Sequence, residues 1–203
     1  MRSLIIVPII HTERDMGSLL EQVKNAYVMR YGQEKWVEHL QSIDRVWVDI
    51  RAKVAALELP YPMVRVYQDG LPVCSKEAEI VRQVANSGSP NHQLILELMA
   101  KGAQLMGTED PKLLLQEYHL VKRGLATAAQ PHEPRSQLEA ESAGLLTERD
   151  RYIATRINET LQPGETGLLF LGMAHAVEGF LASDVRVRRE LPAATDPQRA
   201  AVP

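Results

Sequence analysis

The chain has 203 residues, enough for one domain with a sizeable core. Its 23 basic and 26 acidic residues leave a formal net charge of -3, and 5% of its residues are aromatic, so there is neither a polyelectrolyte signature for nucleic acid nor a supply of rings to stack bases. Cys74 is the one cysteine, which excludes an intrachain disulfide or a thiolate cluster and points to a reducing, cytoplasmic setting; no run approaches the roughly 20 apolar residues of a membrane-spanning helix.

The first element is the apolar run Leu4 to Ile10, closed by His11. A short run rich in β-branched residues reads as a strand buried on both faces. Arg2 gives it a superficial likeness to a signal peptide, but the run is short, interrupted by Pro8, and followed at once by His11, Glu13 and Arg14. Thr12 with Asp15 three residues on forms a capping-box pattern, and helical character then extends over about 13–59, divided at Gly32 and ended by Pro60 and Pro62. Within its second half Trp36, Leu40, Ile43, Trp47, Ile50, Val54 and Leu57 recur in steps of four and three. Such a stripe is either the seam of a homodimer or the inner face of an amphipathic helix lying on its own domain.

Met63 to Tyr67 alternates as a strand does, with Asp69-Gly70 as its turn. Ser75 is placed to cap a helix from Lys76 to Ala85, and Pro90 suits the first turn of another that runs to Lys101 and closes at Gly102. Ala103 to Gly107 is a short strand, and Thr108-Glu109-Asp110-Pro111 opens a helix through Val121. The stretch 126–143, rich in Ala, Gln, Pro, His, Glu and Ser, is expected to form a flexible loop or a poorly formed helix. Thr147-Glu148-Arg149-Asp150 opens the next helix, which ends before Pro163-Gly164. Gly167 to Ala174 is a second buried strand, closed by His175; a short helix follows, then Val185 to Arg188 as an edge strand, and 191–203 as a disordered tail. Strands alternating with helices predict a single α/β domain over about 1–190, with a mainly parallel sheet flanked by helices and a helical insertion after the first strand.

There is no glycine-rich dinucleotide fingerprint, no Walker loop, no His-Glu-x-x-His helix and no Gly-x-Ser-x-Gly elbow. What remains is polar residues at the predicted carboxyl ends of strands, the edge where open α/β sheets bind ligands: His11, Asp69, Glu109 and His175. Asp69 also reads as an ordinary turn residue beside Gly70. The set His11, Glu109 and His175 suits a divalent metal such as Mn, Co or Zn with positions left for water. Without a metal, a histidine of near-neutral pKa activates water directly. Glu148 and Asp150 suit the dipole of a first helical turn, whereas Arg149 and Arg151 there call for an anion, either a neighbouring carboxylate or a substrate group or developing oxyanion.

Gly172-Met173-Ala174-His175, the segment Glu148-Arg149-Asp150 followed by Ala154, and Pro8-Ile9-Ile10-His11 together carry a likeness. The chain resembles the superfamily of TraB/PrgY pheromone-shutdown proteins, Tiki proteases, the haem-binding ChaN lipoprotein and erythromycin esterases. Members carry two Gly-x-x-His motifs on strand ends, a strand-end glutamate and a helix beginning near Glu-Arg-Asp. Glu109 takes the glutamate's place in the order of elements, and Pro8 stands where the first glycine is expected. The resemblance implies a compact α/β fold with hydrolytic or ligand-binding activity at the paired histidines, in a group whose chemistry spans metal-dependent peptide cleavage, ester hydrolysis and haem binding.

The combined expectation is a hydrolase acting on a peptide or ester bond. His11, Glu148, Arg149 and His175 are its catalytic candidates, Arg151 its substrate-binding candidate, and His11, Glu109 and His175 its metal ligands. The alternative is a non-catalytic small-ligand-binding or regulatory protein that oligomerises through the 33–59 helix. Neither reading involves nucleic acid or a membrane.

Overall fold

A computed structural model describes residues 1–129 and 134–190, so the expected tail at 191–203 lies outside the described residues. Five strands, β1 (Arg2–Ile9), β2 (Val64–Gln68), β3 (Gln104–Met106), β4 (Thr166–Gly172) and β5 (Val185–Arg189), pair in the order β3-β2-β4-β1-β5. Every pairing is parallel. The two most apolar runs, β1 and β4, lie side by side at the centre, and their register ends level, Ile9 against Gly172.

Alternate residues of these strands go to opposite cores, which is why the runs are apolar throughout. Ile5, Val7, Ile9, Leu168 and Phe170 pack with α2 (Gln33–Ala55) and α4 (Pro90–Ala100) through Ile43, Trp47, Ile50, Leu94 and Leu98. Leu4, Ile6, Leu169 and Leu171 pack on the other face with Ile153 and Ile157 of α6 (Arg135–Thr160) and with Val177. The chain leaving β1 therefore goes to one face, and the chain leaving β4 enters a 3₁₀ turn, Val177–Phe180, on the other. Adjacent strands whose exits diverge open a crevice at their carboxyl ends, where ligands of open α/β sheets bind. Pro8 is tolerated in the central strand because it lies beyond the last β1–β5 pair, Ile6 with Arg189.

The capping box forms, but over a 3₁₀ turn, Glu13–Asp15, with α1 (Leu20–Tyr31) following it. Gly32 breaks α1 from α2 with φ at 90°, a backbone setting that side chains resist. The stripe on α2 is spent inside the chain. Ile43, Trp47, Ile50 and Val54 join the core under the sheet, and Trp36 meets Tyr27 of α1 edge-on, so the face that would have formed an oligomer seam is already covered.

Of the stretch 126–143, expected as a flexible loop or a poorly formed helix, residues 130–133 lie outside the described residues and the described ones are mostly helix. α5 (Pro111–Ala129) reaches past its start and α6 begins at Arg135. Good helix formers fill the stretch from Arg135, and spacings of four pair Arg135 with Glu139 (2.8 Å) and Gln137 with Glu141 (3.2 Å). Thr147 does not cap; its hydroxyl donates back to the Ala143 carbonyl inside the helix at 3.0 Å. Arg149 and Arg151 thus lie in mid-helix, beyond the reach of the dipole's positive end, which falls off within the first turn. No helix among the described residues is long and apolar enough to cross a membrane.

Trp47 is 2% exposed. A Trp47→Glu variant is therefore expected to lose at least about 3–5 kcal/mol, the range for removing a large buried aromatic side chain. Denaturant unfolding followed by circular dichroism checks this. A variant that keeps wild-type stability and only changes its oligomeric state would show that the stripe serves assembly instead.

Candidate active site

The site is assembled from five segments that meet at one rim of the sheet. β1 delivers His11, β2 delivers Asp69, and the loop after β3 delivers Glu109, fastened there because Thr108 and Glu109 amides both donate to Leu71 O at 3.0 Å. α6 lays Arg149 and Asp150 over the rim, and β4 delivers His175.

Asp69 is the hub, 5% exposed. Its Oδ2 accepts from the Gly172 amide at 2.9 Å and from His11 Nε2 at 3.3 Å. Its Oδ1 accepts from Arg149 Nη2 at 2.9 Å and faces His175 Nε2 at 3.5 Å. Gly172 is what lets the carboxylate in: a Cβ there would stand 2.7 Å from Asp69 Oδ2 and 3.6 Å from atoms of both histidine rings. The glycine of Gly-x-x-His is thus a matter of approach.

His175 is buried with its ring fixed at both nitrogens. Nδ1 bonds Asp150 Oδ1 at 2.6 Å, and Asp150 Oδ2 accepts from the Ala176 amide at 2.9 Å. Burial opposes charge on this ring, but the bonds to Asp150 and Asp69 outweigh it and raise its pKa to about 9, so it is an imidazolium at neutral pH. Burial likewise opposes charge on Asp69, yet His11 and His175 hold it well below the usual carboxylate range. His11 differs in exposure, with 44% of its side chain open to solvent. Partial desolvation works against its charge, and the bond to Asp69 overcomes this and raises its pKa above 6.5.

Arg149 anchors the acidic side. Nε and Nη2 grip Glu109 at 2.6 and 2.8 Å, Nη2 also reaches Asp69, and Nη1 pairs with Glu117 of α5. Burial pushes the Glu109 carboxyl pKa up, as does neighbouring Asp69, against the pull of the guanidinium. Arg149 itself is held charged by Glu109 and Asp69 despite its burial.

Of the residues expected from sequence, His11, Glu109, Arg149 and His175 converge here. Glu148 does not, because α6 turns Arg149 and Asp150 inward and leaves Glu148 exposed. Arg151 is exposed too and lies over the Phe180 ring, 5.3 Å from its centroid. Asp69, noted from sequence at a strand end but read mainly as a turn residue, proves central, and Asp150 and Glu117 are the members that sequence reasoning missed.

The expected metal set also changes. Asp69, Glu109 and His175 bring ligand-type atoms within 4.8 Å of one another, with Asp69 in the place expected for His11. The acceptors are already engaged: Glu109 Oε1 takes Arg149 Nη2 and the Gly70 amide (2.7 Å), Oε2 takes Arg149 Nε, and both Asp69 oxygens are bonded as described. A divalent cation would lie against a guanidinium and would have to strip the proton from His175. As arranged, these residues do not fit a resident metal, because Arg149 already supplies the positive charge.

No family model, no curated protein and no solved structure matches this chain.

The two pKa displacements set opposite pH limits on stability. The raised His175 contributes fully below pH 6.5 and loses its contribution as pH climbs through about 9. The depressed Asp69 contributes above 3.8 and loses its contribution on acidification. Thermal unfolding is therefore expected to show greatest stability between these limits, with an alkaline fall of about 3 kcal/mol from His175. Asp150→Asn should make that fall smaller and end it at lower pH. A wild-type midpoint that stays flat from pH 6.5 to beyond 9 would contradict a buried imidazolium.

Proposed function

We propose that this chain is a hydrolase of ester or peptide bonds in which His11 activates water without a metal. One observation carries the reading: Asp150, His175, Asp69 and His11 form a chain of alternating acid and base contacts, buried at Asp150 and open at His11. A carboxylate can only accept, so the contact with Asp69 fixes the proton of neutral His11 on Nε2 and leaves the lone pair on Nδ1. Nδ1 has no hydrogen-bond partner among the described residues. A base oriented from behind by a buried carboxylate is the arrangement that acyl transfer needs.

In the proposed step, His11 Nδ1 takes a proton from water as the water oxygen bonds to the acyl carbon. The imidazolium so formed faces the Asp69 carboxylate and then returns the proton to the leaving oxygen or nitrogen as its bond to carbon breaks. His175 and Arg149 keep Asp69 ionised throughout. Arg149 spends its donors on three carboxylates, so its part is to balance charge behind the base. Kinship with the TraB, Tiki and erythromycin-esterase superfamily belongs to the same proposal, supported by paired histidines at the ends of adjacent central strands.

Assay of the purified protein on a panel of activated esters and short peptides tests this. Wild type should hydrolyse at least one class and keep its rate after exhaustive chelation, and His11→Ala should lower kcat/KM by about 10²–10⁴ while remaining folded. Activity that disappears on chelation and returns with Zn or Mn would establish metal dependence instead. An inert wild type would favour the non-catalytic ligand-binding alternative.

The base must be neutral to work, so kcat/KM is expected to rise with pH along a limb whose midpoint lies above 6.5. A pH–rate profile measured with a substrate that does not itself titrate checks this. A limb below 6.5 would mean that another group takes the proton.

A further inference from the structure

An exposed imidazole with one side-chain hydrogen bond does not hold its own position, and His11 sits just past the end of its strand. The residues on either side of it are pinned. Before it, the Ile10 carbonyl accepts from the indole Nε1 of Trp47 at 3.1 Å, a bond that reaches out of the core of α2. After it, Thr12 is gripped twice by Asp15 Oδ2, through its amide at 2.7 Å and its hydroxyl at 2.8 Å.

Asp15 is in turn tied to the start of α4. Its Oδ1 accepts from Ser89 Oγ at 2.6 Å and lies 3.3 Å from His92 Nδ1, and Ser89 Oγ accepts from His92 Nδ1 at 2.9 Å. Burial opposes the charge on Asp15, but His92, Ser89 and Thr12 hold its pKa down at about 2, so the clamp stays ionised over the working range of pH. Ser89, His92 and Asp15 share residue types with a hydrolytic triad. Ser89, however, is fully buried and donates its one hydroxyl proton to Asp15, so no acyl carbon can reach it. The cluster is a fastening.

We infer that Trp47 and Asp15 are positioning residues that hold His11 against Asp69 by fixing the peptide groups on both sides of it. This deepens the hydrolase reading and rests on it, since positioning counts only if His11 does chemistry. It also gives the aromatic residue at the centre of the α2 stripe a role beyond packing. Of the charged groups near the ring, Asp69 is bonded to it, and Asp15 and Glu117 act on it through space.

Trp47→Phe and Asp15→Asn each remove one fastening, the first with no change of charge, and Ile43→Val is a core control on the same helix. The readouts are the His11 ring ¹⁵N spectrum at a pH where the ring is neutral, and the separation of kcat from KM. In wild type and in Ile43→Val, the spectrum should report one tautomer, protonated on Nε2. In both test variants it should move toward an average of the two tautomers, with kcat down about ten- to a hundredfold and KM nearly unchanged. Retention of the wild-type tautomer in both variants overturns the inference, as does equal disturbance in Ile43→Val. Should Trp47→Phe fail to fold, Asp15→Asn decides alone. An inactive wild type defeats the hydrolase reading, whereas the ring spectrum still shows whether the two residues fix His11.

Discussion

Burying an ionised carboxylate costs several kcal/mol unless every lone pair is met, and that constraint shapes the whole rim of the sheet around Asp69. An amide from β4, a guanidinium from α6 and imidazoles from the ends of β1 and β4 all converge on it. Each contact demands something of a different element. β1 and β4 must end level, α6 must turn Arg149 inward, and position 172 must lack a side chain. Removing one member leaves the others as uncompensated buried charge, so the cluster behaves as a unit whose parts do not act additively.

The same accounting explains why Arg149 is so deeply placed. Glu109 and Asp69 are close enough that two negative charges would repel strongly in a medium of low polarisability, and burial already disfavours the Glu109 anion. A guanidinium with a planar fork answers both carboxylates at once, and on its outer side it also pairs with Glu117 of α5. α5 has no fully buried residue among those whose side chains are described, so this ion pair is a specific tie between a loosely packed helix and the sheet rim.

What was legible in sequence follows from how much each residue's neighbours along the chain reveal. The parallel sheet, the helices on both faces and the edge position of β5 all follow from runs and punctuation, which are local. His11 and His175 were legible because an imidazole that ends a buried strand has no packing reason to be there. Asp69 was legible only as one strand-end polar residue among four, and Asp150 not at all, because each has a sufficient local excuse: a turn beside Gly70 for one, a favourable helix-start charge for the other. Their roles come from partners 58 to 106 positions away or from a helix laid across the sheet. The Thr-Glu-Arg-Asp tetrapeptide misled in a related way, since Thr147 can cap a helix or bond back within one, and only the length of α6 decides.

The two strand-end histidine motifs look alike but carry different loads, and this accounts for the proline in the first. Gly172 is required because its amide feeds Asp69 and a Cβ would stand 2.7 Å from the carboxylate. Pro8 occupies the corresponding place before His11, three residues ahead of it, but pairs with Leu171, one step back from the Gly172 amide that feeds Asp69. β5 has also ended by that point, and a residue without an N–H fits there. On β1, therefore, the motif's work passes from its first residue to those flanking the histidine, and the bonds from Trp47 and Asp15 do for His11 what a buried ring and Asp150 do for His175. One imidazole is immobilised by enclosure and the other by its backbone. Only the second arrangement leaves its ring partly open to solvent.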